Sequence, residues 1–203
     1  MNTIAVLIAE DDDAVRDALV ILLRSEGIRA RAFATGADLL ANLPEVESAC
    51  VITDVRMPDM DGAEVVRRLR GLKGEAWPII VITGHADVSM AVQMMKSGVV
   101  DFIEKPFDPY RLLEAVRGCL GHLSKQEGER QSRQELADRI AQLSPREHQV
   151  FRALVEGRSN KEIATELAIS PRTVEIFRAK VMSKMQANSL SALVRMGLAS
   201  PAE

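Results

Sequence analysis

The chain has 203 residues, 47% of them hydrophobic and 27% charged, with a formal net charge of −3. It exceeds the usual single-domain size of roughly 100 to 150 residues, and its apolar content suffices for two modest cores. No apolar run of about 18 residues is present, an apolar strand begins by Ile4, and the two cysteines, Cys50 and Cys119, lack metal-ligand spacing; these features argue against a membrane span, a signal peptide and a zinc staple, and a reduced, soluble cytoplasmic chain is expected.

Residues 4–9 form a continuous apolar run that gives way to Glu10 and Asp11. A second run, 49–53, ends in Asp54; a third, 78–82, ends in Thr83-Gly84; a fourth, 99–103, ends in Glu104-Lys105-Pro106. Continuous runs such as 4–9 and 49–53 read as strands buried on both faces, as in a parallel sheet flanked by helices. Ligands of such sheets sit beyond the carboxyl ends of the strands, so each strand contributes a polar group to one place.

The groups collected there are three carboxylates (Glu10, Asp11 and Asp54), the Thr83 hydroxyl and the Lys105 ammonium. Taken singly, an acid at a strand end is as readily a helix cap or a solvated turn residue. Together they suit formation of an acyl phosphate on Asp54. Crowded carboxylates repel one another and a phosphoryl donor, and a hard cation, Mg2+ or Mn2+, relieves that repulsion. Asp11 and Asp54 are expected to ligate it directly, Glu10 through water, and Arg56 by its backbone carbonyl. Lys105 would pair with a second phosphoryl oxygen, and Thr83 would donate its hydroxyl to a third.

The motifs Glu10-Asp11, Asp54-Val55-Arg56-Met57-Pro58, Thr83-Gly84-His85 and Phe102-Ile103-Glu104-Lys105-Pro106-Phe107 resemble the receiver domain of response regulators, in the FixJ branch. The resemblance covers residues 1 to about 120. It implies a flavodoxin-like, doubly wound α/β fold with a five-stranded parallel sheet in order 2-1-3-4-5, a cis Lys105–Pro106 peptide, and a sensor histidine kinase as phosphoryl donor. It also implies a switch in which Thr83 moves toward the phosphoryl group and Phe102 turns into the space behind it, reshaping the helix from about Asp87 to Ser97 and the strand beside it. Arg56 and His85 would tune the lifetime of the acyl phosphate. Glu10 departs from the family pattern, where Asp is usual. A turnover phosphatase usually carries a second acid two residues after its nucleophile, and that position is Arg56, so only slow autodephosphorylation is expected.

Residues 121–142 are rich in Gln, Glu, Arg, Lys and Ser and read as a linker, with Leu136, Ala137, Ile140 and Leu143 compatible with a short amphipathic helix. Either it is a solvated connector or it continues the last helix of the first domain. Charge divides across it: residues 1–120 hold 13 Lys+Arg and 19 Asp+Glu, whereas 141–203 hold 9 and 6. A basic second domain suggests an anionic partner.

From Ser144 the pattern is all-α. Ser144-Pro145-Arg146-Glu147 is a capping box with proline at the first helical position, and Gly157 stops that helix. A short helix follows from Asn160 to about Leu167, then a tight turn at Ala168-Ile169. Ser170-Pro171 opens a third helix running to about Gln186, in which Val174, Phe177, Val181 and Met185 step along one face. Arg172, Glu175, Ile176, Ala179 and Ser183 fall on the opposite face, where they would enter a DNA major groove, flanked by Arg178, Lys180 and Lys184, which are well placed for phosphates or base edges. A helix, a tight turn and a basic second helix form the helix-turn-helix pattern, which generic protein-binding bundles share.

The stretches Leu143-Ser144-Pro145-Arg146-Glu147, Asn160-Lys161-Glu162-Ile163-Ala164 and Ile169-Ser170-Pro171-Arg172-Thr173-Val174-Glu175 resemble the LuxR/NarL-type DNA-binding domain. That resemblance implies phosphate contacts around Asn160, Lys161, Thr173 and Lys180, and base contacts from Glu175, Ile176, Arg178 and Ala179. Glu175 is expected to orient Arg178 or Arg172 more than to read cytosine. The last helix, residues 189–198, would dimerise the protein on a near-palindromic site in double-stranded DNA. The whole chain is then read as a receiver (1–120), a linker (121–142) and a helix-turn-helix domain (143–203), forming a transcriptional regulator that dimerises or unmasks its DNA-binding surface when phosphorylated and contacts RNA polymerase. The alternative is a constitutive DNA-binding dimer with a vestigial receiver.

Overall fold

The computed structural model describes residues 5–44, 48–84 and 88–199. Ile4, His85 and Asp87, which figure in the expectations above, lie outside the described residues. The chain divides into two compact units, Met1–Gln126 and Glu127–Glu203.

In the first unit, strands β1 (Ala5–Ala9), β2 (Ala30–Phe33), β3 (Ala49–Asp54), β4 (Ile79–Thr83) and β5 (Asp101–Glu104) form a parallel sheet in the order β2-β1-β3-β4-β5. Helices α1 (Asp13–Ser25), α2 (Gly36–Ala41), α3 (Gly62–Lys73), α4 (Val88–Lys96) and α5 (Pro109–Ala141) follow the strands in turn. Every residue of β3 and β4 is buried, because side chains alternate between two covered faces. Leu7, Val51, Ile79 and Val81 pack with Val65, Val66 and Leu69 of α3 and with Trp77. Val6, Ile8, Ile52, Ile80 and Ile82 pack with Leu19 and Leu23 of α1 and with Leu112 and Val116 of α5. The Lys105–Pro106 peptide is cis, as expected.

The segment expected as a linker is helical: α5 is continuous to Ala141. No proline interrupts it after its first residue, and Gly121 and Gly128 each cost only about 1 kcal/mol relative to alanine. Ion pairs at helical spacing, the exposed Arg133–Glu129 at 3.8 Å and Arg139–Glu135 at 3.7 Å with Arg139 half-buried, accompany the polar stretch. A wholly solvated connector is ruled out, because Leu136 and Ile140 pack against the core of the second unit together with Leu143.

That second core is built from α6 (Pro145–Val155), α7 (Asn160–Glu166), α8 (Pro171–Lys184) and α9 (Leu190–Ala199) around Val150, Leu154, Ile163, Val174, Val181 and Leu193. Its helix starts are chemically marked. Ser144 and Glu147 form the expected reciprocal box, Ser159 and Glu162 form a second, and Ser170 caps α8 through Thr173 N at 3.1 Å. The turn after α6 passes through Gly157 at φ +82°, a conformation that glycine adopts without penalty. Among the described residues, no helix is long and apolar enough to cross a membrane.

Candidate functional site

The ends of β1, β3, β4 and β5 bring their polar groups to the carboxyl edge of the sheet. Glu10 directly follows β1 and is fully buried; Asp54 closes β3 and is 6% exposed; Thr83 closes β4 and is fully buried. Lys105 follows β5, its amide donating to the Thr83 carbonyl at 2.8 Å. Its ammonium donates to both oxygens of Glu10 at 2.8 Å and to Oδ2 of Asp54 at 2.6 Å. The other Asp54 oxygen accepts from the Arg56 amide at 3.1 Å. Asp11 is exposed beside them, and Glu10, Asp11 and Asp54 each present an oxygen within 4.8 Å of the others.

Electrostatics explain the closeness. Burial pushes the Glu10 carboxyl above its ordinary range, and Lys105 holds it back only in part. Burial alone would lower the Lys105 ammonium, but hydrogen bonds to Asp54 and Glu10 outweigh it and the lysine is raised. The cation therefore stays charged between the two acids. Glu10, although longer than the usual aspartate, reaches Lys105 with both oxygens. The donor set of hard carboxylate oxygens, one of them solvent-facing, fits a divalent metal ion.

The neighbouring acids have structural roles. Asp12 caps α1 through Ala14 N at 2.9 Å and Val15 N at 3.1 Å; Asp61 caps α3 through Ala63 N at 2.8 Å; Asp59 accepts from Ala37 N at 2.9 Å. One residue of the site was not anticipated: Arg16, whose guanidinium donates to the carbonyls of Glu10 at 2.9 Å and Asp11 at 3.4 Å and pairs with Asp13. It fixes the backbone that aims the acidic pair. The only sequence signal was an arginine on the first turn after that pair. Gly62 is equally tied to the site, since a Cβ there would lie 2.3 Å from the Asp54 carbonyl oxygen. Phe102 lies in β5 opposite Val81, half-buried against the core on the α3 side. Arg56 is exposed at the rim, its amide on Asp54.

In the second unit, α8 buries Val174 and Val181, with Met185 at its C-cap also buried and Phe177 half-buried on the same face, and exposes Arg172, Glu175, Ile176, Ala179, Lys180 and Ser183. Thr173 is half-buried, its hydroxyl 2.8 Å from that of Ser170, and Lys161 is exposed at the start of α7. Arg178 donates to Asn160 Oδ1, at the start of α7, at 3.3 Å. Lys184 is half-buried. Its ammonium donates to Glu147 at 2.6 Å and to the Gln142 carbonyl at 3.0 Å.

A cluster of carboxylates and a lysine at the carboxyl edge of a parallel sheet, followed by a basic helix-turn-helix, defines a two-module signalling regulator. Residues 6–117 match the response regulator receiver domain and residues 141–197 match bacterial regulatory proteins of the luxR family. The chain is 46% identical over 197 residues to the transcriptional regulatory protein FixJ of Azorhizobium caulinodans, covering 97% of this chain and 93% of that one. Among solved structures, the response regulator StyR superposes with TM-score 0.83 at 34% identity, over 96% of this chain and 98% of that one. Full-length FixJ from B. japonicum superposes with TM-score 0.59 at 43% identity, over 98% of both. The chain belongs to the response-regulator family. Within it, it is a FixJ-like member, a phosphorylation-controlled transcriptional regulator with a receiver and a LuxR-type DNA-binding domain.

Proposed function

We propose that Asp54 accepts a phosphoryl group from a sensor histidine kinase in the cytoplasm, and that the acyl phosphate promotes dimerisation and DNA binding. The observation that carries this reading is the Lys105 ammonium held between Asp54 and Glu10 at the carboxyl edge of the sheet. An Asp54 carboxylate oxygen attacks phosphorus, the bond from phosphorus to the donor imidazole breaks, and the imidazole leaves with a proton. Lys105 passes from the carboxylates to a phosphoryl oxygen, and the Thr83 hydroxyl donates to another. Asp11, Asp54, the Arg56 carbonyl and, through water, Glu10 would hold Mg2+ or Mn2+. Such a cation supplies the positive charge that lets a phosphoryl group approach three acids. Arg56 and His85 tune how fast water removes the group, so the receiver performs only its own phosphorylation and slow dephosphorylation.

The new negative charges bias a two-state element, with Thr83 and Phe102 as its moving parts. We assign residues 1–120 to the receiver, 121–142 to the connecting stretch and 143–203 to the DNA-binding domain. Asn160, Lys161, Thr173 and Lys180 hold phosphates, while Arg172, Glu175, Ile176, Arg178 and Ala179 face base edges in the major groove. Lys184, at the end of α8, flanks this surface while its ammonium pairs with Glu147. The active form is a dimer on a near-palindromic site, from which it contacts RNA polymerase.

The test is sedimentation and intact mass with Mg2+ and beryllofluoride or acetyl phosphate, alongside binding to operator-containing DNA. Wild type is expected to acquire the phosphoryl group from acetyl phosphate, become dimeric and bind DNA more tightly, and Asp54→Asn to do none of these. Equal responses from both proteins would leave a constitutive DNA-binding dimer as the better account.

A further inference from the structure

Helix α5 belongs to both cores. Its first half buries Leu112, Val116 and Leu123 in the first unit, and Leu136 and Ile140 near its end pack against the core of the second. No residue between Leu123 and Leu136 is buried, yet the helix is unbroken there. A continuous helical stretch that is polar on every side serves as a bridge through solvent, not as part of a core.

Where α5 ends, it meets the end of α8. Arg139, in the last turn of α5, donates through Nη1 to the carbonyl of Met185, the C-cap of α8, at 3.4 Å. Lys184, in the last turn of α8, donates to the Gln142 carbonyl, one residue beyond α5, at 3.0 Å. Each helix therefore supplies a cation to the terminal carbonyls of the other. The last carbonyls of a helix have no partner within it and carry the negative end of its dipole, so two such ends brought together need donors from outside. The same Lys184 ammonium holds Glu147 at 2.6 Å, and that carboxylate accepts from the Ser144 amide at 2.8 Å, which fastens the start of α6 to the same point. Packing alone accounts for Leu136 and Ile140. It does not account for a reciprocal exchange of cations between the connecting helix and the helix assigned to the DNA groove.

We propose that Arg139 and Lys184 are positioning residues that clamp the end of α5 to α8, and that α5 carries the state of the receiver to the DNA-binding surface through this clamp. The proposal rests on the reading that phosphorylation of Asp54 tightens DNA binding. The other end of α5 is suited to sense that event. The helix opens at Pro109, shortly after Lys105, and Arg111 in its first turn pairs with Asp101 of β5 at 2.6 Å. A rearrangement of β5 and the Lys105 turn thus acts on the helix at its origin, and an unbroken helix with a fastened end passes the bias to α8.

The experiment measures the affinity of the full-length protein, with and without Mg2+ and beryllofluoride, for a duplex that the wild type selects from a random-sequence pool. Wild type is expected to gain about tenfold on activation, inside the usual range of coupling between sites. Arg139→Met keeps the aliphatic stem and loses the donor, so its gain should shrink to about twofold or less while its affinity without beryllofluoride stays near that of wild type. Gly128 is exposed, and a Cβ there meets nothing within 4 Å. Gly128→Ala should therefore keep the full gain, and Gly128→Pro, which breaks the helix without touching either core, should lose it. A full gain in Gly128→Pro overturns the role of α5 as carrier, and this pair decides the matter even where Arg139→Met fails to fold. An equal loss of affinity by Arg139→Met in both states, with the gain intact, overturns the clamp as anything beyond structural support. A wild type without any gain overturns the phosphorylation reading, and the clamp with it, before either variant is compared.

Discussion

The two units organise their polar chemistry in opposite ways. In the receiver, the groups that matter are drawn inward: Glu10 and Thr83 have no exposed surface, and Asp54 is almost buried. In the C-terminal unit they are pushed outward, Ile176 of α8 being 53% exposed beside Arg172, Glu175 and Ala179. A pocket of buried acids needs an internal cation and a backbone held to tenths of an ångström. A groove-reading surface needs only a helix in the right place with its far face anchored. The receiver should therefore be most sensitive to backbone crowding, and the DNA-binding unit to the contacts that start and fix its helices.

The largest effect is expected at Gly62. A methyl group there meets the Asp54 carbonyl oxygen at 2.3 Å and Val55 Cα at 2.8 Å, both backbone atoms that cannot rotate away. Gly62→Ala should destabilise the receiver by about 3 kcal/mol. The single tryptophan, Trp77, is fully buried in the same core, so its fluorescence in a urea titration follows this unit. An unchanged midpoint would remove backbone crowding as the distinguishing property of the receiver site.

The second effect separates the units by pH. Lys184, with further help from the Ser144 amide, holds the Glu147 carboxyl down to about 2, against an ordinary value of 4.5. A depressed folded-state value means the stabilisation is complete above about 4.5 and is lost as pH falls toward 2. Lys184→Met should make stability above 4.5 lower and its decline across that window shallower. Amide exchange in residues 145–184 is the readout, because the tryptophan reports only the receiver. Equal slopes for the two proteins would show that this ion pair does not set the acid limb.

The third sorts DNA contacts by kind. Lys161→Ala should reduce the slope of log K against log salt by about 0.9, the signature of one lost phosphate contact. Ile176→Ala should leave the slope unchanged and weaken binding to the preferred site about tenfold, since an apolar side chain in the groove reads thymine methyls and not phosphate. Identical slopes and identical loss across sequences for both variants would place neither residue as assigned.

Legibility in the sequence followed the same division. Strands β3 and β4 announced themselves as unbroken apolar runs, and their terminal Asp54 and Thr83 lie where such sheets gather polar groups. Capping residues were readable too, because their signal is local: Ser144 and Glu147 are three apart. What escaped was non-local or directed at backbone. Arg16 serves carbonyl groups, which carry no sequence signal. Lys184 finds a partner 37 positions away, and Arg178 finds Asn160 18 positions away. The continuation of α5 was one of two open readings, because two glycines and a polar composition suit a solvated connector while Leu136 and Ile140 mark a face with something to pack against.

The smallest effect tests how far the C-terminal unit depends on helix starts. Helix α7 is only seven residues long, so the two donors satisfied by its capping box are a large share of its order. The Ser159 hydroxyl accepts from Glu162 N at 3.3 Å, and the Glu162 carboxylate accepts from Ser159 N at 2.7 Å. Ser159→Ala should cost about 1 kcal/mol. It should also weaken DNA binding slightly, because Asn160 and Lys161 occupy the first turn that the cap orders. Ser159→Asp keeps a competent cap while adding a negative charge beside the proposed phosphate contacts. It is expected to retain stability and still lose affinity, whereas Ser159→Ala loses both. If the aspartate variant binds DNA as wild type does, the start of α7 does not approach the phosphate backbone, and Lys161 must be reassigned to the solvent.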